Sequence, residues 1–183
     1  MVRSDAEARA AVTEARRTNR ELPAIALLGG DLCRTLGGRG DEGRLRSGEA
    51  MVLPCDLGTV LLDGRLHFFV AHLVARRRWW GGRVFVAMNA AWLGPWNTGP
   101  RAHPGDGLLD TYDARLPLRQ AVAVRSRLPQ GAHLPHPAIA ERRTKALQVD
   151  LEPGMAVRLD GELVGTARTL SLRIEPEALT VVV

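Results

Sequence analysis

The chain has 183 residues, 45% of them apolar, with a formal net charge of +5 and two cysteines. That length and composition suit one domain with a sizeable core and argue against disorder. No apolar run reaches the roughly 18 residues that a membrane helix needs, and the charged N-terminal segment does not have the pattern of a signal peptide. Cys33 and Cys55 are too few for a disulfide framework, so we expect a cytoplasmic protein in which both are buried as small apolar residues.

The first predicted element is an amphipathic helix within residues 1–20. Ser4 and Glu7 have the spacing of a capping box, so the helix should begin near Asp5. Its apolar face consists of residues that recur at helical spacing, with charged residues opposite: Ala8, Ala11, Val12 and Ala15.

Residues 21–183 have the pattern of a mainly β domain. Short apolar and β-branched runs alternate with turn signals, which is typical of a sandwich or a barrel. The pairs Asp63-Gly64 and Asp160-Gly161 favour type I′ turns and predict two hairpins. The predicted strands are residues 24–28, 57–62, 67–74, 84–89, 108–115, 146–151, 155–159, 170–174 and 179–183. We expect a single domain over residues 1–183, a two-layer β-sandwich with one N-terminal helix.

Two segments between the predicted strands are unusual. Residues 92–107 contain three prolines and four glycines, which predicts an ordered loop or lid without regular structure. Residues 76–78 are three consecutive arginines followed by Trp79 and Trp80. This run is either a patch for phosphate or anionic lipid, or a solvated hairpin end whose tryptophans fold onto the core. No recognition helix or stacking motif accompanies it, so we expect no nucleic-acid partner.

The segment "LLGGDLCRTLGG", residues 27–38, has two interpretations. The glycines turn a strand into a short helix that Asp31 caps and Gly37 ends. Alternatively, the glycine turn lets backbone N–H groups approach a phosphate, and Asp31 holds a metal or orients a hydroxyl.

Three further motifs carry candidate chemistry. In "HPGDGLLD" Asp106 is either a hard-cation ligand or a turn residue bonded to its own backbone. In "RLDGELVG" a hairpin would hold Glu162 at its rim, where a carboxylate can act as a general base. A zinc site would need His103, Asp106, His133 and His136 to converge, whereas loop histidines usually bond to the backbone.

Taken in order, these motifs resemble the second half of the diacylglycerol kinase and bacterial lipid kinase family, whose fold is shared in part with NAD kinases. The family loop G-T-G-N-D-hydrophobic-A-R is matched by residues 27–34, and its D-G-L-L-D segment by residues 106–110. Its G-x-H turn is matched by residues 131–133, and its D-G-E hairpin by residues 160–162. A strand ending at Asn89 also stands where the family has one.

The resemblance implies a role for each matched residue. Asp31 would lie near the transferring phosphate and Glu162 would be the general base, so both are catalytic candidates. Asp106 would belong to a structural Mg²⁺ site. The remaining candidates are Asp5, Gly29 and Gly30 for the cofactor, and Arg34, His133 and His136 for the substrate.

The departures from the family fall on the kinase chemistry. The nucleotide loop G-G-D-G-T is replaced by Arg3-Ser4-Asp5-Ala6-Glu7, in which side chains and a carboxylate oppose close approach of phosphate. The threonine and asparagine of the second loop are Leu28 and Gly30, and the segment from residue 68 to residue 84 is short. We therefore do not expect the isolated chain to bind ATP.

Three functions remain open from the sequence. The preferred one is a degenerate lipid-kinase-like protein that binds a lipid or a phosphorylated small molecule, at a membrane surface or in the cytoplasm. The second is a working kinase half completed by a separate nucleotide-binding subunit, and the third is a metal-dependent enzyme using the loop histidines. A missing partner domain would leave an apolar face, which predicts a homodimer through Trp79, Trp80, Trp92 and Trp96.

Overall fold

The computed structural model describes residues 1–77 and 82–183. In chain order its elements are α1 (Asp5–Arg17), β1 (Ile25–Ala26), α2 (Asp31–Thr35), α3 (Glu42–Arg46), β2 (Val52–Leu62), β3 (Arg65–Phe69), β4 (His72–Arg76), β5 (Gly82–Met88), β6 (Leu109–Leu116), α4 (Leu118–Arg127), a 3₁₀ turn (Leu128–Gln130), β7 (Ile139–Thr144), β8 (Ala146–Asp150), β9 (Ala156–Leu159), β10 (Glu162–Thr166) and β11 (Thr169–Val182). Within the described part of the chain, no helix is both long and apolar enough to cross a membrane.

The strands form two sheets. The first sheet has the order β1-β11-β2-β3, with β8 also paired to β11. The second sheet has the order β10-β9-β4-β5-β6-β7 and is antiparallel throughout. The two sheets are arranged as a sandwich around large apolar side chains that include Phe69, Phe85, Leu159, Leu170 and Leu172. The expected mainly β sandwich with one N-terminal helix is confirmed.

Helix α1 begins as predicted. Ser4 is the N-cap, and its hydroxyl accepts a hydrogen bond from the Glu7 N–H at 3.2 Å. The Glu7 carboxylate in turn accepts the N–H of Arg3 at 2.7 Å, one residue before the cap. Residues on the predicted apolar face, Ala8, Val12 and Ala15, are buried. The Glu7 carboxylate therefore lies at the N-terminus of α1.

Most predicted strands are found, with three differences. The run 67–74 is two strands, β3 and β4, because the chain changes sheets at Val70 and Ala71. The runs 170–174 and 179–183 belong to one strand, β11, whose register shifts between Glu175 and Leu179. The elements α3, α4 and β7 were not predicted.

The local turn predictions are confirmed as well. Asp63 and Asp160 have positive φ angles of 46° and 51°, and each is followed by a glycine at 86° in a hairpin turn. Residues 92–107 contain no helix or strand, only an isolated bridge between Leu93 and Trp96. The two cysteines are free and buried.

Candidate functional site

The glycine turn before α2 is filled by a side chain from α1. The Asp5 carboxylate accepts the N–H of Asp31 at 2.6 Å and the N–H of Leu32 at 3.2 Å. Asp5 therefore occupies the backbone donors at the start of α2, and the expectation that Asp31 caps this helix is wrong. Gly30 is the N-cap residue, and it makes no side-chain hydrogen bond.

The glycines Gly29 and Gly30 are explained by this packing. A Cβ on Gly29 would lie 2.6 Å from the carbonyl oxygen of Arg3, and one on Gly30 would lie 2.4 Å from Asp5 Oδ1. Gly30 also has a φ of 97°, which side chains other than glycine rarely adopt. Close contact with the N-terminal segment thus accounts for both glycines, without a phosphate.

Asp31 instead faces β4 and the proline-rich loop. Its carboxylate lies 2.9 Å from His72 Nε2 and accepts the N–H of Gly94 at 2.9 Å. Burial raises the pKa of Asp31, but the hydrogen bonds from His72 and Gly94 outweigh it and the pKa is lowered. Burial lowers the pKa of His72, but the hydrogen bond to Asp31 and the nearby carboxylates reverse this, so its pKa is raised.

Asp160, in the β9–β10 turn, is the most enclosed carboxylate of the site. Its side chain is fully buried and accepts the N–H groups of Val70, Ala71 and His72 at 2.8–3.1 Å. Burial raises its pKa, against the lowering effects of His72 and of these N–H groups. Asp160 therefore fixes the chain where it passes from β3 to β4, directly beside His72.

Glu162, the candidate general base, lies next to Asp160 but is paired. Arg9 on α1 donates a hydrogen bond to the Glu162 carboxylate, and its Nε is 3.7 Å from Asp160 Oδ2. The Glu162 side chain is 63% exposed. The Arg9 contact engages a carboxylate oxygen that a general base would need free to accept a proton from the substrate.

One group of possible metal ligands is present in the described residues. Asp5, Asp31 and His72 offer ligand atoms that lie within 4.8 Å of one another. Both oxygens of Asp5 already accept backbone N–H groups, and Asp31 is bonded to His72 and Gly94. A cation here would have to replace these hydrogen bonds.

Asp106, the expected Mg²⁺ ligand, contacts an arginine. Its Oδ1 accepts the Leu108 N–H at 2.9 Å, and its Oδ2 pairs with Arg143. Arg143 Nε also lies 3.2 Å from the buried Asp110. The guanidinium already places positive charge between the two carboxylates, so this donor set does not fit an additional Mg²⁺ ion.

This geometry predicts the response of the chain to divalent cations. Replacing Arg143 by Gln removes the guanidinium that lies against the buried Asp110, and we expect a loss of about 2 kcal/mol of stability. Mg²⁺ or Ca²⁺ should restore part of the melting temperature of Arg143→Gln and leave that of the wild type unchanged. Arg115→Gln, which breaks the exposed pair with Glu152 elsewhere on the strand of Asp110, is the matched control. A wild-type melting temperature that rises with Mg²⁺ would contradict this account.

The histidines of the loops do not form a metal site. No three of His103, Asp106, His133 and His136 lie within ligand distance of one another among the described residues. His103 Nδ1 accepts the N–H of Gly105, and His136 Nδ1 accepts the N–H of Ala138. The expected metal-dependent enzyme built on these four residues is therefore not supported by their positions.

Arg34 and His133 occupy different places. Arg34 lies over the ring of Trp92 at 3.3 Å from its centroid and donates to the Gly94 carbonyl. His133 is 5% exposed and lines a cavity outside the second sheet. The resemblance assigned Arg34 and His133 to the same substrate role, but Arg34 lies beside Trp92 and Gly94, whereas His133 lies in the cavity.

The cavity lies between the second sheet and α4 and has a volume of about 180 Å³. Its walls are mainly apolar and include Val74, Val84, Val86, Ala121, Val124 and Ile139. Across the sheet, Val74 is paired with Val86, and Val86 with Tyr112. The row two residues along the strands, towards the site of Asp31, contains His72, Met88 and Asp110. The cavity thus approaches this site along the strands.

Comparison with known proteins identifies the family of the sandwich. Residues 59–183 match the family model described as the YegS C-terminal NAD kinase beta sandwich-like domain. The chain belongs to this family. No curated protein matches the sequence.

Solved structures show the same fold. One is named "A putative diacylglycerol kinase from Bacillus anthracis str. Sterne"; it has a TM-score of 0.66 and 15% identity, over 87% of this chain and 69% of that one. Another diacylglycerol kinase structure from the same organism has a TM-score of 0.58 and 15% identity, over 87% of this chain and 66% of that one. The resemblance to the sandwich of lipid kinases is therefore confirmed.

The YegS C-terminal family match covers only part of the candidate site. Asp106, His133, His136 and Glu162 lie within residues 59–183, as do His72 and Asp160. The candidates of the N-terminal segment lie outside the matched residues: Asp5, Gly29, Gly30, Asp31 and Arg34. The roles that the resemblance implied for all of these residues remain predictions.

Proposed function

We propose that this chain binds the aliphatic chain of a lipid in the cavity between the second sheet and α4, and does not transfer phosphate by itself. The cavity carries the proposal. Most of its lining residues are valine, alanine, leucine or isoleucine. Burial of an aliphatic chain against such walls is favourable by about 25 cal/mol per Å² of apolar surface.

The charges near the cavity favour an anionic amphiphile. Arg76 and Arg125 line it, and Arg125 lies over the ring of Trp96 at 4.5 Å from the centroid. Burial lowers the pKa of Arg76, and the nearby Arg158 and Arg125 lower it further. Guanidinium groups that crowd one another create a positive potential that attracts carboxylate or phosphate.

The outer face of α4 is suited to a membrane surface. Leu118 and Val122 on this helix are 59% and 53% exposed, and arginines lie on either side of them in the sequence. Exposed apolar side chains among arginines are typical of helices that lie on anionic lipid. We therefore propose that the lipid reaches the cavity from a membrane to which the chain binds peripherally.

The tryptophan patch that the sequence predicted for a homodimer is described only at Trp92 and Trp96. Trp79 and Trp80 lie outside the described residues, and the homodimer remains a prediction.

The contacts of the site argue against phosphate transfer by the isolated chain. Arg9 pairs with Glu162, the Asp5 carboxylate fills the start of α2, and the Glu7 carboxylate lies at the start of α1. Each position that would hold a phosphate or a free base therefore already has a partner within the chain.

Calorimetry with dodecanoate below its micellar concentration tests the proposal. Ala121 lines the cavity, whereas Ala123 on the same helix is exposed. We expect Ala121→Phe to weaken binding at least about tenfold, because the ring takes the space of the ligand, and Ala123→Phe to bind like the wild type. Absence of wild-type binding, or equal binding by Ala121→Phe, would contradict the proposal.

A second candidate is a kinase half that a separate nucleotide-binding chain completes. The direct contact of Asp31 with His72, beside Asp160, favours it, because an ordered cluster of ionisable groups is typical of active sites. Mg-ATP calorimetry of the isolated chain tests the first candidate. We expect no binding by the isolated chain, and a Kd below about 100 μM, or roughly 5.5 kcal/mol, would contradict that candidate and favour a kinase role.

A further inference from the structure

Among the described residues, three buried polar atoms in the cavity have no hydrogen-bond partner. They are Thr98 Oγ1, Tyr112 OH and His133 Nδ1, and none is bonded to any group in residues 1–77 and 82–183. The three residues are 8%, 4% and 5% exposed, and all line the cavity. Buried polar groups in native proteins are nearly always paired, so three exceptions in one cavity indicate a partner that the described residues do not supply.

The three groups come from separate parts of the chain, and His133 lies beside both of the others. Tyr112 is on β6, while Thr98 and His133 are in loops on either side of that strand in the sequence. The rings of Tyr112 and His133 are 6.4 Å apart, edge to face. Burial lowers the pKa of His133, while a hydrogen bond with the Thr98 backbone opposes this. The uncharged form of His133 is therefore favoured over its usual balance.

Tyr112 and the cationic side chain of Arg76 lie in different rows of the second sheet. Tyr112 is in the row of Val74 and Val86, whereas Arg76 is paired with Val84, two residues further along the strands. Two residues along a strand correspond to roughly 7 Å. A ligand whose anionic head meets the arginine would thus present the middle of its chain to Tyr112.

We propose that the ligand of this cavity carries a hydroxyl group along its aliphatic chain, and that Thr98, Tyr112 and His133 bind this hydroxyl. The proposal rests on the proposed function. A hydroxyl both donates and accepts, so it can satisfy a neutral imidazole in either tautomer together with a phenol.

Calorimetry compares dodecanoate with a positional series of monohydroxylated dodecanoates. We expect a mid-chain hydroxyl to tighten binding to the wild type about tenfold, since each new hydrogen bond satisfies a buried group. Tyr112→Phe and Thr98→Val should reduce this preference to about twofold. Thr111→Val is the matched control, because Thr111 is a buried neighbour whose hydroxyl already bonds to the Arg142 carbonyl; it should keep the full preference.

Thermal melting without ligand separates recognition from a structural role. Since the oxygens of Tyr112 and Thr98 have no partner among the described residues, Tyr112→Phe and Thr98→Val should melt no lower than the wild type, whereas Thr111→Val should melt lower. Lower melting of the first two variants would overturn the proposal. Equal binding of dodecanoate and every hydroxylated form would overturn it while the proposed function stands. Absence of binding by any of them would overturn both.

Discussion

Asp160→Ala should lower the free energy of unfolding by at least about 3 kcal/mol. The change removes the acceptors of three buried N–H groups, those of Val70, Ala71 and His72, and leaves Arg9 without its inner contact. Because a buried donor without a partner costs about 1–3 kcal/mol, the three together exceed the effect of an ordinary surface substitution. Urea denaturation of both proteins measures the difference.

Asp63→Ala is the matched control for this change. Asp63 and Asp160 precede the glycine of equivalent hairpin turns, and their φ angles are 46° and 51°. Alanine is therefore strained to a similar extent at both positions, and the difference between the variants reports the buried hydrogen bonds. Asp63 is exposed and accepts from Arg168 and Thr169 at the surface. Equal destabilisation of the two variants would show that the buried hydrogen bonds of Asp160 do not stabilise the connection between β3 and β4.

Gly30→Ala should also lower the free energy of unfolding strongly. Its Cβ would lie 2.4 Å from Asp5 Oδ1, so Asp5 must leave the start of α2 and lose the hydrogen bonds from Asp31 and Leu32. We expect about 3 kcal/mol from this displacement, in addition to about 1 kcal/mol for alanine at positive φ.

Gly37→Ala isolates the strain at positive φ. Gly37 has a φ of 78°, and a Cβ added there would meet no atom within 4 Å, so only about 1 kcal/mol of strain should remain. Urea denaturation of the two variants gives the comparison. If both lose the same stability, the Asp5 carboxylate is not held in the turn before α2, and the account of this loop is wrong.

Local patterns predicted the sandwich well because they depend on neighbouring residues. The capping box at Ser4 and the two Asp-Gly turns are short-range signals, and all appear where expected. The alternation of strands and turns predicted the fold class. The sequence pattern did not predict helix α4, because arginines interrupt its apolar residues and only Val124 on it is buried. Its periodicity at Ala121, Val124 and Leu128 was the available signal.

The candidate site was predictable only in part, since its contacts join distant residues. The motifs identified Asp5, Asp31 and Glu162, but not that Arg9 would pair with Glu162 across 153 positions. His72 lies within an apolar strand and has no local feature that distinguishes it from a core histidine. The side chain of Asp160 bonds to residues 88–90 positions away, which the hairpin pattern does not contain.

The proposed lipid site places an aliphatic chain between the second sheet and α4. Photolabelling with a diazirine fatty acid, followed by mass spectrometry of the modified peptides, locates that chain directly. We expect labelling of β5, β6 and α4, at residues such as Val86, Ala114 and Ala121, and loss of this label in Ala121→Phe. Label confined to the first sheet, or equal label in Ala121→Phe, would contradict it.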